Sequence, residues 1–237
     1  MSNHATSVIS NFDAVLFDFD GVVLDTTELH YRLWRDFGVE HGHPPTQSEL
    51  IATNGRPSRE TILEWLGPNL SEQQVTALSH QREERLHTAL MNEDVPTVLG
   101  VREYINQLLA HNIPLALVTS STRENVYFAL KRIMLIDAFK VIVTANDVQH
   151  GKPNPECYIK AAGMLNSDPS SCLVVEDSIA GLRSAQAAGA KRLALSTSLA
   201  QEQLIPERSD WICSDFNHLP LELRVDHIAD TPPAQRA

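Results

Sequence analysis

Residues 14–21 read AVLFDFDG: Ala14-Val15-Leu16-Phe17 run straight into Asp18-Phe19-Asp20-Gly21. An apolar run this short, stopped by acids and a glycine, has the pattern of a strand buried on both faces. Working outward, four more such runs follow: 114–118 before Thr119-Ser120-Ser121, 141–143 before Thr144-Ala145-Asn146-Asp147, 172–175 before Glu176-Asp177, and 192–195 before Ser196-Thr197. Helical spacing fills the intervals, at 101–110 (Ile105, Leu108, Leu109), 123–135 (Val126, Leu130, Ile133), 156–165 and 179–188. Strand–helix alternation with short connections predicts parallel βαβ units with right-handed crossovers, an α/β doubly wound sheet.

The stretch from Thr27 to Asp94 breaks this rhythm. It carries helical patterns at 28–41, 59–66 and 71–91, no convincing strand, and a capping-box signature in Ser71-Glu72-Gln73-Gln74. It reads as an α-helical insertion after the first strand. The expected division is a core of 1–26 and 96–237 with a helical unit of 27–95. The polar, Pro-containing tail from about Asp226 is expected to fray.

Composition bounds the function. The 237 residues are 43% hydrophobic, enough for a packed core, and 19 basic against 30 acidic side chains leave a net charge of −11. An acidic chain is a poor non-specific nucleic-acid binder, and any anionic substrate needs a metal or a local Lys/Arg group. Cys157, Cys172 and Cys213 are scattered and odd in number, as expected of reduced core cysteines and a cytoplasmic protein. The first residues, MSNHATSVISNFD, do not look like a signal peptide, and no apolar stretch approaches the roughly 18 residues of a membrane span.

Ligands of open α/β sheets bind at the carboxyl ends of the strands. Polar groups collect at those ends here: Asp18 and Asp20, Thr119 and Ser120, Lys152 in Gly151-Lys152-Pro153-Asn154-Pro155, and Glu176-Asp177. Each has a bland alternative. Asp-x-Asp-Gly makes a turn, Thr119 or Ser120 caps a helix, a loop lysine is solvated, and Glu176-Asp177-Ser178 caps the next helix. Together the alternatives require four coincidences at one end of one sheet. Asp18 and Asp20, two apart on extended chain, face one pocket, where clustered carboxylates call for a cation; with Asp177 nearby, Mg²⁺ suits the oxygen ligands.

In order, FDFDGVVLDT, VTSS, GKPNP and VVEDSIAGLRSAQAAGA resemble the four motifs of the haloacid dehalogenase-like phosphatases, over about Ala14 to Thr197. The helical insertion resembles that family's cap, and DGVVLDTTELHYRLW resembles its β-phosphoglucomutase and sugar-phosphate phosphatase branch. The resemblance implies a Rossmann-like core and an aspartyl-phosphate mechanism. Asp18 would be the nucleophile. Asp20 would be the general acid/base, its carbonyl a metal ligand. Thr119 and Lys152 would hold the phosphoryl group, and Asp177 with Glu176 (through water) would complete the Mg²⁺ site. Asp20 argues against haloacid dehalogenation, whose branch lacks this second Asp.

In the cap, Arg59 or Arg56 of the segment 54–59 is expected to meet a substrate hydroxyl or second anion. His30, with Trp34 on one helix face, is either a hinge residue or a substrate ligand, and Ser120 joins Thr119 at the substrate. Arg82 is a candidate for the lysine that mutases carry on a later cap helix. After VTSS, however, the chain reads Thr122-Arg123-Glu124-Asn125 instead of the mutases' Lys-Asn pair, and VTANDVQHGKPNPECY (143–158) looks more like the phosphatases. The expectation is therefore a Mg²⁺-dependent phosphatase of a small sugar phosphate, monomeric or weakly dimeric, without nucleic-acid or membrane partners. The alternative is a β-phosphoglucomutase.

Overall fold

The computed structural model describes residues 9–225. Its centre is a six-stranded, wholly parallel sheet in the order β3-β2-β1-β4-β5-β6: β1 Ala14–Phe17, β2 Leu115–Val118, β3 Val141–Val143, β4 Cys172–Glu176, β5 Lys191–Leu195 and β6 Trp211–Cys213. Successive side chains of a strand face opposite sides, and the two cores follow that alternation. Val15 and Phe17 join Leu115, Leu117, Leu173 and Val175 on one face. Ala14 and Leu16 join Ala116, Val118, Cys172 and Val174 on the other.

Four helices lie between β1 and the crossover to β2: α1 Thr27–Glu40, α2 Gln47–Ala52, α3 Ser58–Leu66 and α4 Glu72–Asn92. They have an apolar cluster of their own, in which Trp34 meets Phe37 and Trp65 edge-on, with centroids 5.5 and 5.3 Å away. The feet of α1 and α4 (Leu29, Leu33, Leu86, Leu90) join the sheet core instead. Helix α5 Val101–Ala110 completes the crossover, and α6 Arg123–Arg132 packs on the same sheet face. Helices α7 Glu156–Met164 and α8 Ile179–Ala187 follow β3 and β4; Ala161, Ala162 and Ala185 contribute to the opposite face.

Most expected elements are present within a residue or two, and Ser71 makes the capping box read from its sequence. The departures are local. Helix α6 stops at Arg132 instead of 135 because Met134 adopts φ 55°. The N–H of Leu135 then reaches the Leu130 carbonyl at 2.9 Å and that of Met134 reaches Lys131 at 3.1 Å, a Schellman ending. Helix α2 and strand β6 were not anticipated. The first is six residues long, and the second is a three-residue, partly exposed edge strand.

Candidate active site

Strands β1, β2 and β4 are neighbours, and the chain leaves β1 and β4 toward opposite sides of the sheet. Their carboxyl ends form the crevice where doubly wound sheets bind ligands. Asp18 follows β1 directly; its N–H donates to the Val175 carbonyl at 3.0 Å, extending the ladder, and its side chain is buried. Lys152 enters from the loop before α7 and is 1% exposed. Its ammonium donates to Asp18 Oδ1 at 2.6 Å, Glu176 Oε1 at 2.6 Å and the Val118 carbonyl at 3.1 Å. Three acceptors match its three donor protons.

Glu176 ends β4 and is fully buried. Besides Lys152, its Oε1 accepts from the Tyr158 hydroxyl at 2.7 Å. Its Oε2 accepts from the N–H groups of Asp177 and Ser178 and from the Ser178 hydroxyl, at 3.1, 3.2 and 2.9 Å. The carboxylate therefore lies against the start of α8, where backbone N–H groups favour negative charge. That closeness explains Gly181: a Cβ there would fall 1.7 Å from Glu176 Oε1. Gly21 is fixed twice over, by φ 78° and because a Cβ would fall 1.9 Å from Asp177 Oδ2. Ser198 donates to Asp177, and Thr197 donates to the Gly21 carbonyl at 2.6 Å, so the loop after β5 braces both.

Asp18, Glu176 and Asp177 offer carboxylate oxygens within 4.8 Å of one another. Burial pushes the Asp18 carboxyl up to about 8, with Glu176 and Asp20 adding to the rise and Lys152 opposing it. Burial, Glu176 and Asp18 raise Asp177 well above the ordinary carboxylate range. Burial alone would lower the Lys152 pKa, but Asp18 and Glu176 outweigh it and hold the ammonium charged. Negative charge thus exceeds what one lysine balances, and the surplus is all hard oxygen. That donor set fits Mg²⁺, with Asp18 and Asp177 the better-placed ligands because the oxygens of Glu176 are occupied by protein donors.

The Asp20 carboxylate turns elsewhere. Oδ1 accepts from Thr26 at 2.8 Å and His30 Nε2 at 3.1 Å, and Oδ2 accepts from Ser121 at 2.7 Å. Burial works against its ionisation, but the His30, Ser121 and Thr26 donors hold its pKa down at about 2. Arg82 Nη2 lies 2.8 Å from His30 Nδ1. A guanidinium only donates, so in this contact Nδ1 is the acceptor and Nε2 is the ring nitrogen that faces Asp20. Arg82 is 1% exposed, stacks 4.9 Å from the Trp34 ring centroid, and has Nε and Nη1 buried without a protein partner.

Thr119 ends β2 and accepts from the Ser121 N–H at 3.0 Å. The Ser120 hydroxyl donates 2.7 Å to the Gly55 carbonyl, tying the α2–α3 loop to the sheet. Asp18, Asp20, Thr119, Ser120 and Asp177 share a cavity of about 50 Å³ with His30, Arg56 and Arg82. Arg59 is not brought to these carboxylates: its guanidinium forms a two-pronged pair with Glu72 at 2.6 and 2.7 Å. Arg56 pairs with Glu64 at 2.8 Å. Sequence reasoning did not find Tyr158, Ser121 or Thr26 as partners of the acidic residues. Thr26 and Ser121 are the closing hydroxyl residues of FDFDGVVLDT and VTSS, and Tyr158 ends the segment 143–158, but none was singled out.

A parallel sheet with carboxylates and a buried lysine gathered at its switch point defines an α/β enzyme of the doubly wound class. The chain belongs to the haloacid dehalogenase-like hydrolase family, whose model matches residues 15–195. It is 33% identical over 184 residues to a phosphorylated carbohydrates phosphatase of Thermotoga maritima, covering 76% of this chain and 83% of that one. It is 30% identical over 218 residues to a beta-phosphoglucomutase of Bacillus subtilis, covering 89% and 92%. A crystal structure of a family IA, variant 3 hydrolase from Entamoeba histolytica superposes with a TM-score of 0.79 at 29% identity, covering 89% and 96% of the two chains. Among the described residues, no helix is long and apolar enough to cross a membrane.

Proposed function

We propose that the chain is a Mg²⁺-dependent phosphatase of small sugar phosphates, working through an aspartyl-phosphate at Asp18, with residues 27–95 as a cap over a core of 1–26 and 96–237. The observation that carries this reading is the buried Asp18–Lys152–Glu176 arrangement with Asp177 beside it. Asp18 Oδ attacks phosphorus, the P–O bond to the sugar breaks, and the electron pair leaves with the sugar oxygen. Lys152 and Thr119 hold the phosphoryl oxygens, and Tyr158 with the N–H groups of Asp177 and Ser178 keeps Glu176 where it fixes Lys152. Phosphoryl transfer depends mainly on such positioning and charge neutralisation. Asp18 and Asp177 would hold a divalent cation, which when bound would further neutralise the phosphate dianion.

Asp20 is the acid/base. At rest it is ionised; an arriving phosphate dianion raises its proton affinity, so that it takes a proton from solvent, donates it to the leaving sugar oxygen, and then takes a proton from the attacking water. His30, held by Arg82, orients Asp20 and couples it to the cap, because both residues stand on cap helices. The mutase relative gives a second reading, phosphoryl transfer between two positions of a sugar. A screen of phosphate release across sugar phosphates, with and without Mg²⁺ and a sugar bisphosphate activator, decides. Mg²⁺-dependent release without activator is the expected result. Isomerisation that requires the activator, with little phosphate released, would establish the mutase.

A further inference from the structure

Beside the small cavity lies a second of about 310 Å³, sharing Ser58, Glu83, Thr119 and Ser120 with it and reaching Arg59, Ser79 and Lys152. The small cavity, at about 50 Å³, has room for a phosphoryl-sized group and little more. A sugar attached to a phosphate beside Asp18 can reach the larger cavity across the shared Ser58, Glu83, Thr119 and Ser120.

Two cations line it, and both are already taken: Arg59 by Glu72, and Lys152 by Asp18 and Glu176. Glu60 faces Arg56 at 3.5 Å. Glu83 differs. Its carboxylate accepts from the Ser58 hydroxyl at 2.6 Å and from Asn125 Nδ2 at 3.1 Å, both neutral. The His87 ring, 2.9 Å from Asn125 Oδ1, fixes that amide. The adjacent Arg82 feels the charge of Glu83 first and of Asp20 second, but its hydrogen bond goes to His30 and it does not line the larger cavity. On the same wall Ser79 presents a buried hydroxyl with no protein partner. The larger cavity therefore offers hydroxyl and carboxylate acceptors and, among the described residues, no cation without a carboxylate partner.

We infer that Glu83 determines specificity by charge: the cavity takes an uncharged, hydroxyl-rich leaving group and rejects one bearing a second phosphate. The inference rests on the phosphatase reading and narrows it. Hydroxyls of the leaving group donate to Glu83 and exchange with Ser79, whereas a second phosphate would lie against an acidic wall whose neighbouring cations are already engaged by carboxylates.

The test compares fructose 1-phosphate with fructose 1,6-bisphosphate, which share a skeleton and differ in charge. Wild-type protein should favour the monophosphate in kcat/KM by at least about tenfold, and Glu83→Gln should shrink that ratio by about tenfold. Glutamine can still turn its oxygen to Asn125 and its amide to Ser58, so the substitution removes charge while keeping both contacts. A wild-type ratio near one, or a ratio that glutamine leaves unchanged, would overturn the inference; the wild-type ratio decides even where the variant folds poorly. Dissociation constants of both sugars for Asp18→Asn protein read the same discrimination without turnover. Failure of the phosphatase reading instead shows as no phosphate released from either sugar or from an aryl phosphate.

Discussion

At the scale of single residues, the acidic cluster dictates its neighbours. Gly21 and Gly181 are glycines because carboxylates of Asp177 and Glu176 occupy the space a methyl group would need. Gly21→Ala also forces a left-handed backbone on an L side chain, so it should cost about 1–3 kcal/mol in urea unfolding and raise the Mg²⁺ concentration needed for half-maximal activity. A variant as stable and as metal-sensitive as the parent would show that Asp177 does not need its present position. Lys152→Met leaves Asp18 and Glu176 buried without their cation. The expected loss is about 3–5 kcal/mol, with turnover abolished, and a Mg²⁺ titration followed by melting temperature should recover part of the stability. Arg59→Ala, by contrast, removes a half-exposed pair with Glu72, for which under about 1 kcal/mol and a kcat/KM change of only a few-fold are expected. A hundredfold loss on a sugar phosphate would mean that Arg59 leaves Glu72 for the substrate.

At the scale of elements, the helical insertion is held together by its own aromatic cluster and joined to the sheet by polar tethers. Trp34 carries both duties, since it packs on Phe37 and Trp65 and supports the buried Arg82. Trp34→Ala should cost about 3–5 kcal/mol and, by releasing Arg82 and so His30, lower kcat on sugar phosphates more than on an aryl phosphate that needs no proton from Asp20. Equal losses on both substrates would assign Trp34 a packing role only. The elements legible in the sequence were those with a contiguous signal. Strands β1 and β3 are apolar runs ended by polar residues, and α4 begins at a capping box. Strand β6 was hidden because Trp211-Ile212-Cys213 is short and sits at an edge. Helix α2 is too short to show a helical period, and its Thr46/Glu49 capping box was the sign available. At the site, the strand-end rule located Asp18, Thr119, Lys152 and Glu176-Asp177. The contact between Arg82 and His30, 52 residues apart, depends on how α4 crosses α1, which periodicity does not encode.

At the scale of the whole molecule, negative charge buried at the switch point links stability to pH and to metal. With Asp18 raised from 3.8 to about 8, the folded state binds a proton more tightly than the unfolded chain does. Between those values ionisation favours unfolding, so stability falls as pH rises. The melting temperature of metal-free protein should therefore drop from about pH 5 to pH 8, and Mg²⁺ should restore most of the loss at the upper end. A pH-independent melting temperature, or one indifferent to Mg²⁺, would contradict the charge surplus. The central claim, that Asp18 attacks phosphorus, is tested most directly by rapid acid quenching during turnover of a sugar phosphate in Mg²⁺, followed by peptide mapping of the bound phosphate. The account predicts an acyl-phosphate on Asp18, absent from Asp18→Asn protein and from protein quenched in chelator. Phosphate on any other residue, or turnover surviving in the Asp18→Asn variant, would contradict it.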